Sequence, residues 1–139
     1  MRLPVTSTRL FLNASLAEPS DQSRNVEVLE IIGRFPNLSC YAPQIEVPLG
    51  TPLSAQEILQ KNLEAIWEAD VVLTVLDNPG VGVGVELGYT LHAAKPIIAF
   101  RPSNAYLGKM LEGLWESLPA DYKATTLDGL HAVLSRLHD

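Results

Sequence analysis

The segment over residues 71–100 constrains the fold of this chain more than any other. Its first part, residues 71–76, is almost wholly apolar and β-branched, which predicts a strand buried on both faces. A glycine-rich run follows, and then a helical pattern over about 85–94 that Pro96 ends. Residues 97–100 are again apolar. A strand, a helix and a second strand in this order predict a βαβ unit of a parallel sheet.

The rest of the chain alternates in the same way. Ser54 and Glu57 have the spacing of a capping box, which predicts that a helix begins after Ser54. We therefore predict a single α/β domain over residues 1–139, with a parallel sheet of about five strands and helices on both faces. The other predicted strands are 9–12, 40–47 and 124–126, and the other predicted helices are 19–35, 54–69, 106–118 and 127–137.

Composition excludes several classes of protein. A chain of 139 residues is long enough for one domain with a core. The net charge of −6 argues against binding to nucleic acid polymers or to anionic membranes. The apolar runs are too short to cross a membrane, and residues 1–12 lack the apolar core of a signal peptide. Cys40 is the only cysteine and the histidines lack metal-ligand spacing, so we expect a cytoplasmic protein without a metal.

Polar residues follow several of the predicted strands. In open α/β sheets, ligands bind beyond the carboxyl ends of the strands. This edge is therefore the predicted site, although Asn, Ser and Asp also form ordinary turns. The polar residues placed there are Asn13, Ser15, Asp77, Asn78, Arg101, Ser103 and Asn104.

The glycine run contains Gly80, Gly82 and Gly84. It fits neither the dinucleotide fingerprint G-x-G-x-x-G nor a phosphate-binding loop that ends in Gly-Lys-Ser/Thr. Glycines with positive φ would let the backbone approach a ligand closely. The alternative is a tight strand-to-helix turn that binds nothing.

Glu86 stands where the glycine run gives way to the predicted helix. In the first turn of a helix the macrodipole favours a negative charge. We therefore expect Glu86 to be ionised near pH 7, as a nucleophilic carboxylate must be. The alternative is that Glu86 only stabilises the helix terminus.

Asn62 interrupts the apolar stripe of the helix over 54–69. It lies four residues from both Ile58 and Ile66, so it points toward the same side. An unpaired buried amide costs about 1–3 kcal/mol. Asn62 is therefore expected either to bond neighbouring backbone or to border a polar cavity.

Around Glu86 the chain resembles the nucleoside 2-deoxyribosyltransferase family. The resemblance rests on the strand that begins at Asp70, the glycine run, the segment Glu86-Leu87-Gly88-Tyr89 and the pair Lys95-Pro96. It implies a flavodoxin-like fold, no cofactor, and 2'-deoxynucleosides and free nucleobases as ligands. It also implies a transferase that exchanges the base of 2'-deoxynucleosides through a covalent deoxyribosyl intermediate on Glu86, the nucleophile. It further implies that a homo-oligomer completes each site from a neighbouring subunit. Residues 106–115 are our candidate for that contact.

This chain departs from the family pattern at three positions. Phe11 stands where members usually have a tyrosine, and Gly80 stands where they often have an aspartate. Asp77 or Asn78 would then hold the sugar hydroxyls. Asn62 stands where the family commonly has an aspartate that contacts the base and helps to protonate it as it leaves. An amide cannot deliver that proton, and general acid catalysis is typically worth about 10²–10⁴-fold.

Two other functions stay open at this point. Related hydrolases cleave 2'-deoxynucleoside 5'-monophosphates and usually carry an arginine after Glu-Leu-Gly. Tyr89 stands at that position here and favours an uncharged 5'-hydroxyl, whereas Ser15 and Arg101 keep the hydrolase possible. The third hypothesis is a nucleotide-binding domain without catalysis, which Phe11, Gly80 and Asn62 would support.

Overall fold

A computed structural model describes residues 7–138 of the chain. Half of the segment on which the signal-peptide prediction rests, residues 1–6, lies outside the described residues, as does Asp139 at the end of the predicted domain. Within residues 7–138, no helix combines the length and the apolar character needed to cross a membrane.

Five parallel strands form one sheet in the order β2-β1-β3-β4-β5. The α/β fold predicted from the sequence is thereby confirmed. In this order β2 lies on one side of β1 and β3 on the other, so the order of the strands reverses between β1 and β3. Ligands bind at such a switch point in open α/β folds. The strands are β1 (Thr8–Asn13), β2 (Leu38–Tyr41), β3 (Val71–Val75), β4 (Ile97–Phe100) and β5 (Lys123–Ala124).

Six α-helices connect and follow these strands in the described part of the chain, with short 3₁₀ turns at Ala120–Tyr122 and Arg136–His138. The predicted capping box of α3 is confirmed, because the Ser54 side chain accepts from the Glu57 backbone and Glu57 accepts from Ser54. The helices are α1 (Pro19–Ile32), α2 (Pro43–Glu46), α3 (Ala55–Glu68), α4 (Val81–His92), α5 (Lys109–Ser117) and α6 (Leu127–Ser135).

The core lies on both sides of the sheet. The larger cluster joins β1, β3 and β4 to α1 and α6, with Val28, Ile31, Leu130 and Leu134 at its centre. On the other face, Phe11 and Val72 pack against Ile66 of α3, while smaller contacts involve Leu63 and Tyr89. The α3–α4 side therefore carries less buried apolar surface, and a cavity lies at its edge.

Several predicted boundaries differ from the structure, and two of them are wrong by a full helical turn or more. The strand predicted over 40–47 ends at Tyr41, and α2 follows it, because Pro43 occupies the first helical position, where its fixed φ suits a helix and its missing N–H costs nothing. The helix predicted from residue 85 begins at Val81. Burial of Val83 and Leu87 against Ile97 holds this turn helical despite its glycines.

Candidate active site

A cavity of about 520 Å³ opens at the carboxyl edge of the sheet. It lies between the loop after β1, the α2–α3 connection, α3 and the first turns of α4. Its volume is within the range of small-ligand sites. Of the predicted site residues, Ser15, Asn62, Gly80, Gly82 and Glu86 line it.

Glu86 and Asn62 form a hydrogen-bonded pair inside this cavity. The Asn62 Nδ2 donates to Glu86 Oε1 at 3.3 Å. Asn62 is buried, with 8% of its surface exposed. Of the two alternatives predicted for this amide, Asn62 borders the cavity, and its partners there are side chains rather than backbone. The backbone carbonyl of Glu86 accepts a hydrogen bond from the Thr90 hydroxyl at 2.7 Å. This bond lies within α4 and does not involve the Glu86 carboxylate.

Burial raises the pKa of Glu86 from 4.5 to about 7, and the hydrogen bond from Asn62 opposes that rise. The expectation that the helix macrodipole keeps this carboxylate ionised near pH 7 is contradicted by the upward direction of its pKa. Because α4 begins at Val81, Glu86 lies in the second turn. The macrodipole effect falls off within the first turn. Desolvation therefore dominates, and it favours the protonated form of Glu86 relative to a carboxylate in water.

The glycine run forms the start of α4 rather than a loop. Gly80 is the N-cap residue and forms no side-chain cap. None of the three glycines has the positive φ expected from the sequence, since among the described residues only Gly50 and Gly108 are glycines with positive φ. A Cβ on Gly82 would meet no atom within 4 Å. The absent side chain at Gly82 therefore leaves room in the cavity.

The first amides of α4 lie beside the cavity without a partner inside the helix, as at any helix N-terminus. Ser15 also lines the cavity; its Oγ accepts from the Ala17 N–H at 3.4 Å and would lie 4.0 Å from a Cβ on Gly80. Backbone amides and a hydroxyl in this arrangement can bind oxygen atoms of a sugar or of a phosphate.

Asn13 lies behind the cavity rather than in its wall. It is fully buried, and its Nδ2 donates to the backbone carbonyl of Val83 at 3.2 Å. Its Oδ1 has no partner among the described residues. This bond ties the end of β1 to the first turn of α4, so Asn13 positions the helix that carries Glu86.

Asp77 and Asn78 lie outside the cavity lining. The Arg24 guanidinium bridges Asp77 and Asp21 at 2.6 Å and 3.2 Å. Asn78 adopts a positive φ of 50°, as a turn residue can. The predicted contact of either side chain with sugar hydroxyls stays a prediction, and for Asp77 it would compete with Arg24.

Gly84 and Tyr89 also lie away from the cavity. Tyr89 lines a larger groove of about 670 Å³ on the outer side of α3, together with Leu59, Leu63 and Trp67. Glu86 does not line that groove. In this chain alone, Tyr89 and Glu86 line different openings, and the contact of Tyr89 with a 5'-hydroxyl stays a prediction.

Sequence reasoning missed Tyr41. Phe11, the predicted substrate-binding residue of β1, is fully buried and does not reach the cavity. It pairs in register with Tyr41 of β2, and the two rings stack with centroids 5.7 Å apart. The Tyr41 hydroxyl donates to Asn62 Oδ1 at 3.4 Å. The one available signal was that Tyr41 is aromatic, like Phe11. This likeness has a meaning only once the register of β1 and β2 is known.

The described residues contain no group of three His, Cys, Asp or Glu side chains placed to hold a metal ion. The cavity instead offers one ionisable carboxylate, an amide and a helix N-terminus. These groups can supply a nucleophile and hydrogen bonds to a polar ligand.

Comparisons with known proteins show the family of the chain. Residues 10–120 match the model of the nucleoside 2-deoxyribosyltransferase family, and the chain belongs to that family. The resemblance seen in the sequence is thereby confirmed. Members of the family are enzymes, either transferases or N-hydrolases.

Among curated proteins, the chain is 39% identical over 70 residues to the 5-hydroxymethyl-dUMP N-hydrolase of Rattus norvegicus, covering 48% of this chain and 43% of that protein. It is 31% identical over 68 residues to a protein of Thermofilum pendens whose name places it among the 2'-deoxynucleoside 5'-phosphate N-hydrolases, covering 47% and 48%. These matches span about half the length of each relative.

Among solved structures, the fold matches the 2-deoxyribosyltransferase of Bacillus psychrosaccharolyticus with a TM-score of 0.72 at 17% identity. That match covers 89% of this chain and 90% of the other. At this identity the likeness is one of fold.

Proposed function

We propose that this protein cleaves the N-glycosidic bond of 2'-deoxynucleosides with Glu86 as the nucleophile, and then transfers the deoxyribosyl group to a second nucleobase. The observation that carries the proposal is the Glu86–Asn62 pair in a cavity of nucleoside size at the carboxyl edge of the sheet. The family of the chain supports the same class of reaction.

The reaction proceeds in two displacements. An oxygen of ionised Glu86 attacks C1' of the sugar, and a C–O ester bond forms as the C1'–N bond breaks. The bonding electron pair leaves on the base nitrogen, which takes a proton. A nitrogen of the second base then attacks C1', loses its own proton and releases the Glu86 carboxylate. The transition states resemble an oxocarbenium ion, which a neighbouring carboxylate stabilises.

Asn62 has a limited part in this chemistry. Its Nδ2 stabilises ionised Glu86, and its amide can hydrogen-bond a base. The Asn62 amide is not acidic enough to protonate the departing base, so that proton comes from water in this proposal. The rate is therefore expected to rise with pH through about 7, since the pKa of Glu86 is raised to that value.

The cavity favours an uncharged ligand. No Lys, Arg or His is among the described residues that line it. Arg24 and Arg101 are both occupied by carboxylates, Arg24 by Asp21 and Asp77, and Arg101 by Glu112 at 2.7 Å. A phosphate would thus be bound by neutral groups alone, which supports a nucleoside as the donor.

The second candidate is hydrolysis of 2'-deoxynucleoside 5'-monophosphates. It is favoured by the names of the two curated relatives, and by the open amides of α4 beside Ser15, which suit a phosphate. Water would then replace the second base in the second displacement.

Product analysis separates these candidates. The protein is incubated with deoxyadenosine or deoxyadenosine monophosphate, each with and without a free acceptor base, and the products are separated by chromatography. A new nucleoside from deoxyadenosine and acceptor supports the transferase. Release of adenine from the monophosphate alone supports the hydrolase. Binding of both without any product contradicts both and leaves a nucleotide-binding domain.

A further inference from the structure

We infer that Tyr41 is a positioning residue for the nucleophile, acting on Glu86 through the side chain of Asn62. The inference rests on the proposed role of Glu86 and adds a residue on a different strand to it. It is carried by a continuous chain of hydrogen bonds from the Tyr41 hydroxyl through the Asn62 amide to the Glu86 carboxylate.

Glu86, at one end of this series of hydrogen bonds, determines which group donates at each step. Ionised Glu86 only accepts hydrogen bonds, so it requires the Nδ2 of Asn62 to face it. The Oδ1 of Asn62 then points to Tyr41, and a phenol can donate to it. Donation to the amide oxygen polarises the amide and strengthens its N–H as a donor. Tyr41 thereby favours the ionised form of Glu86.

The ring of Tyr41 is itself held in place. It stacks on Phe11, which is fully buried, with an angle of 11° between the ring planes. The two residues are register partners in β1 and β2. The hydroxyl is therefore presented by the sheet rather than by a loop, as a residue that orients an active-site group requires.

The charged groups around these three side chains support the same direction of hydrogen-bond donation, from Tyr41 toward Glu86. Among the described residues that line the cavity, Glu86 is the only ionisable one. The pKa of the Tyr41 phenol is raised by burial, and then by the carboxylates of Glu46 and Glu86. Tyr41 thus keeps its proton, and remains a donor, over the whole range in which Glu86 titrates.

The test is Tyr41→Phe, which keeps the ring stacked on Phe11 and removes only the hydroxyl. We expect the acid dissociation constant of Glu86 to fall about three- to tenfold, which moves its midpoint up by about 0.5–1 pH unit. Activity should then fall about two- to fivefold at pH 7 and stay within about twofold of the unchanged chain at pH 9. Equal losses at both pH values would overturn the inference, because they indicate a general structural effect.

A direct titration makes the outcome independent of catalysis. The carboxyl carbon of Glu86 is followed by ¹³C NMR against pH, with Glu86→Gln to assign the signal and Tyr122→Phe as the matched tyrosine control. If the Glu86 midpoint rises in Tyr41→Phe and the unchanged protein shows no base exchange, the role of Tyr41 is supported and the proposed function is contradicted. If the Glu86 midpoint stays unmoved in Tyr41→Phe and the unchanged protein shows full base exchange, the role of Tyr41 is contradicted and the proposed function is supported.

Two further measurements test the link, and the second has an arm in the intact chain that serves even if Tyr41→Phe folds poorly. In an Asn62→Ala background, Tyr41→Phe should leave the Glu86 midpoint unchanged, since the link is gone, and an undiminished shift would refute the inference. Labelling the intact chain with 3-fluorotyrosine makes the phenols better donors. The Glu86 midpoint should then move down in the intact chain and stay fixed in Tyr41→Phe, whereas an unmoved midpoint in the intact chain would contradict the role of the hydroxyl.

Discussion

Replacing Glu86 by Gln should make the protein more stable at high pH while abolishing its chemistry. Gln is close in size to Glu and can still accept the bond that Asn62 donates. It has no charge to desolvate. The carboxylate is half-buried, and that burial is the main cause of its raised pKa.

The size of the effect follows from proton linkage. The unfolded chain releases the Glu86 proton near pH 4.5 and the folded chain near pH 7. The folded state is therefore destabilised as pH rises through this window, by about 3 kcal/mol at pH 8 and less than about 1 kcal/mol at pH 5. Partial exposure to water lowers the first value, so we expect Glu86→Gln to stabilise the fold by about 1–3 kcal/mol at pH 8.

Urea unfolding at pH 5 and pH 8, followed by circular dichroism, measures this difference. Glu116→Gln, at an exposed position of α5, is the matched control and should change stability equally at the two pH values. If Glu86→Gln gave the same change in unfolding free energy at pH 5 and pH 8, burial would not be what raises the pKa of this carboxylate.

Three other substitutions test the surroundings of the nucleophile. Asn62→Asp should raise the rate of base exchange by up to about 10²-fold and give a bell-shaped pH–rate profile, because two adjacent carboxyls share a proton and one can act as an acid. Asn13→Ala should lower the unfolding free energy by about 1–3 kcal/mol in urea and lower kcat, since the carbonyl of Val83 loses its donor and α4 its anchor. Ser54→Ala should cost about 1 kcal/mol in the same unfolding assay and leave kcat unchanged, since it removes only the cap of α3.

Local signals in the sequence were sufficient for most of the fold. The apolar β-branched run of β3 and the capping box at Ser54 each depend on residues close together in the chain. The same holds for Pro96, which ends the helical pattern before β4. Their alternation was enough to predict a parallel α/β sheet, and the segment around Glu86 was enough to predict the family.

The start of α4 could not be predicted in the same way. Three glycines in six residues favour a loop by intrinsic propensity. Contacts of Val83 and Leu87 with Ile97 override that preference. The error extended to chemistry, because it placed Glu86 in the first turn and so gave the wrong direction for its pKa.

The partners of the site residues also depended on the folded chain. Arg24 reaches Asp77 across 53 positions of sequence, and Tyr41 reaches Asn62 across 21. Nothing in the local sequence of Asp77 indicates that a guanidinium occupies it. A partner for Asn62 was predicted on physical grounds, but its identity required the register of β1 and β2.

The most direct test of the account is a covalent one. The protein is incubated with a 2'-deoxynucleoside that carries an electron-withdrawing group on the sugar, which slows breakdown of the intermediate, and its intact mass and peptides are then measured. We predict a mass gain of one sugar residue, located on Glu86, that Glu86→Gln does not show and that an acceptor base removes. An adduct on another residue, or base release with no dependence on Glu86, would contradict the assignment of the nucleophile.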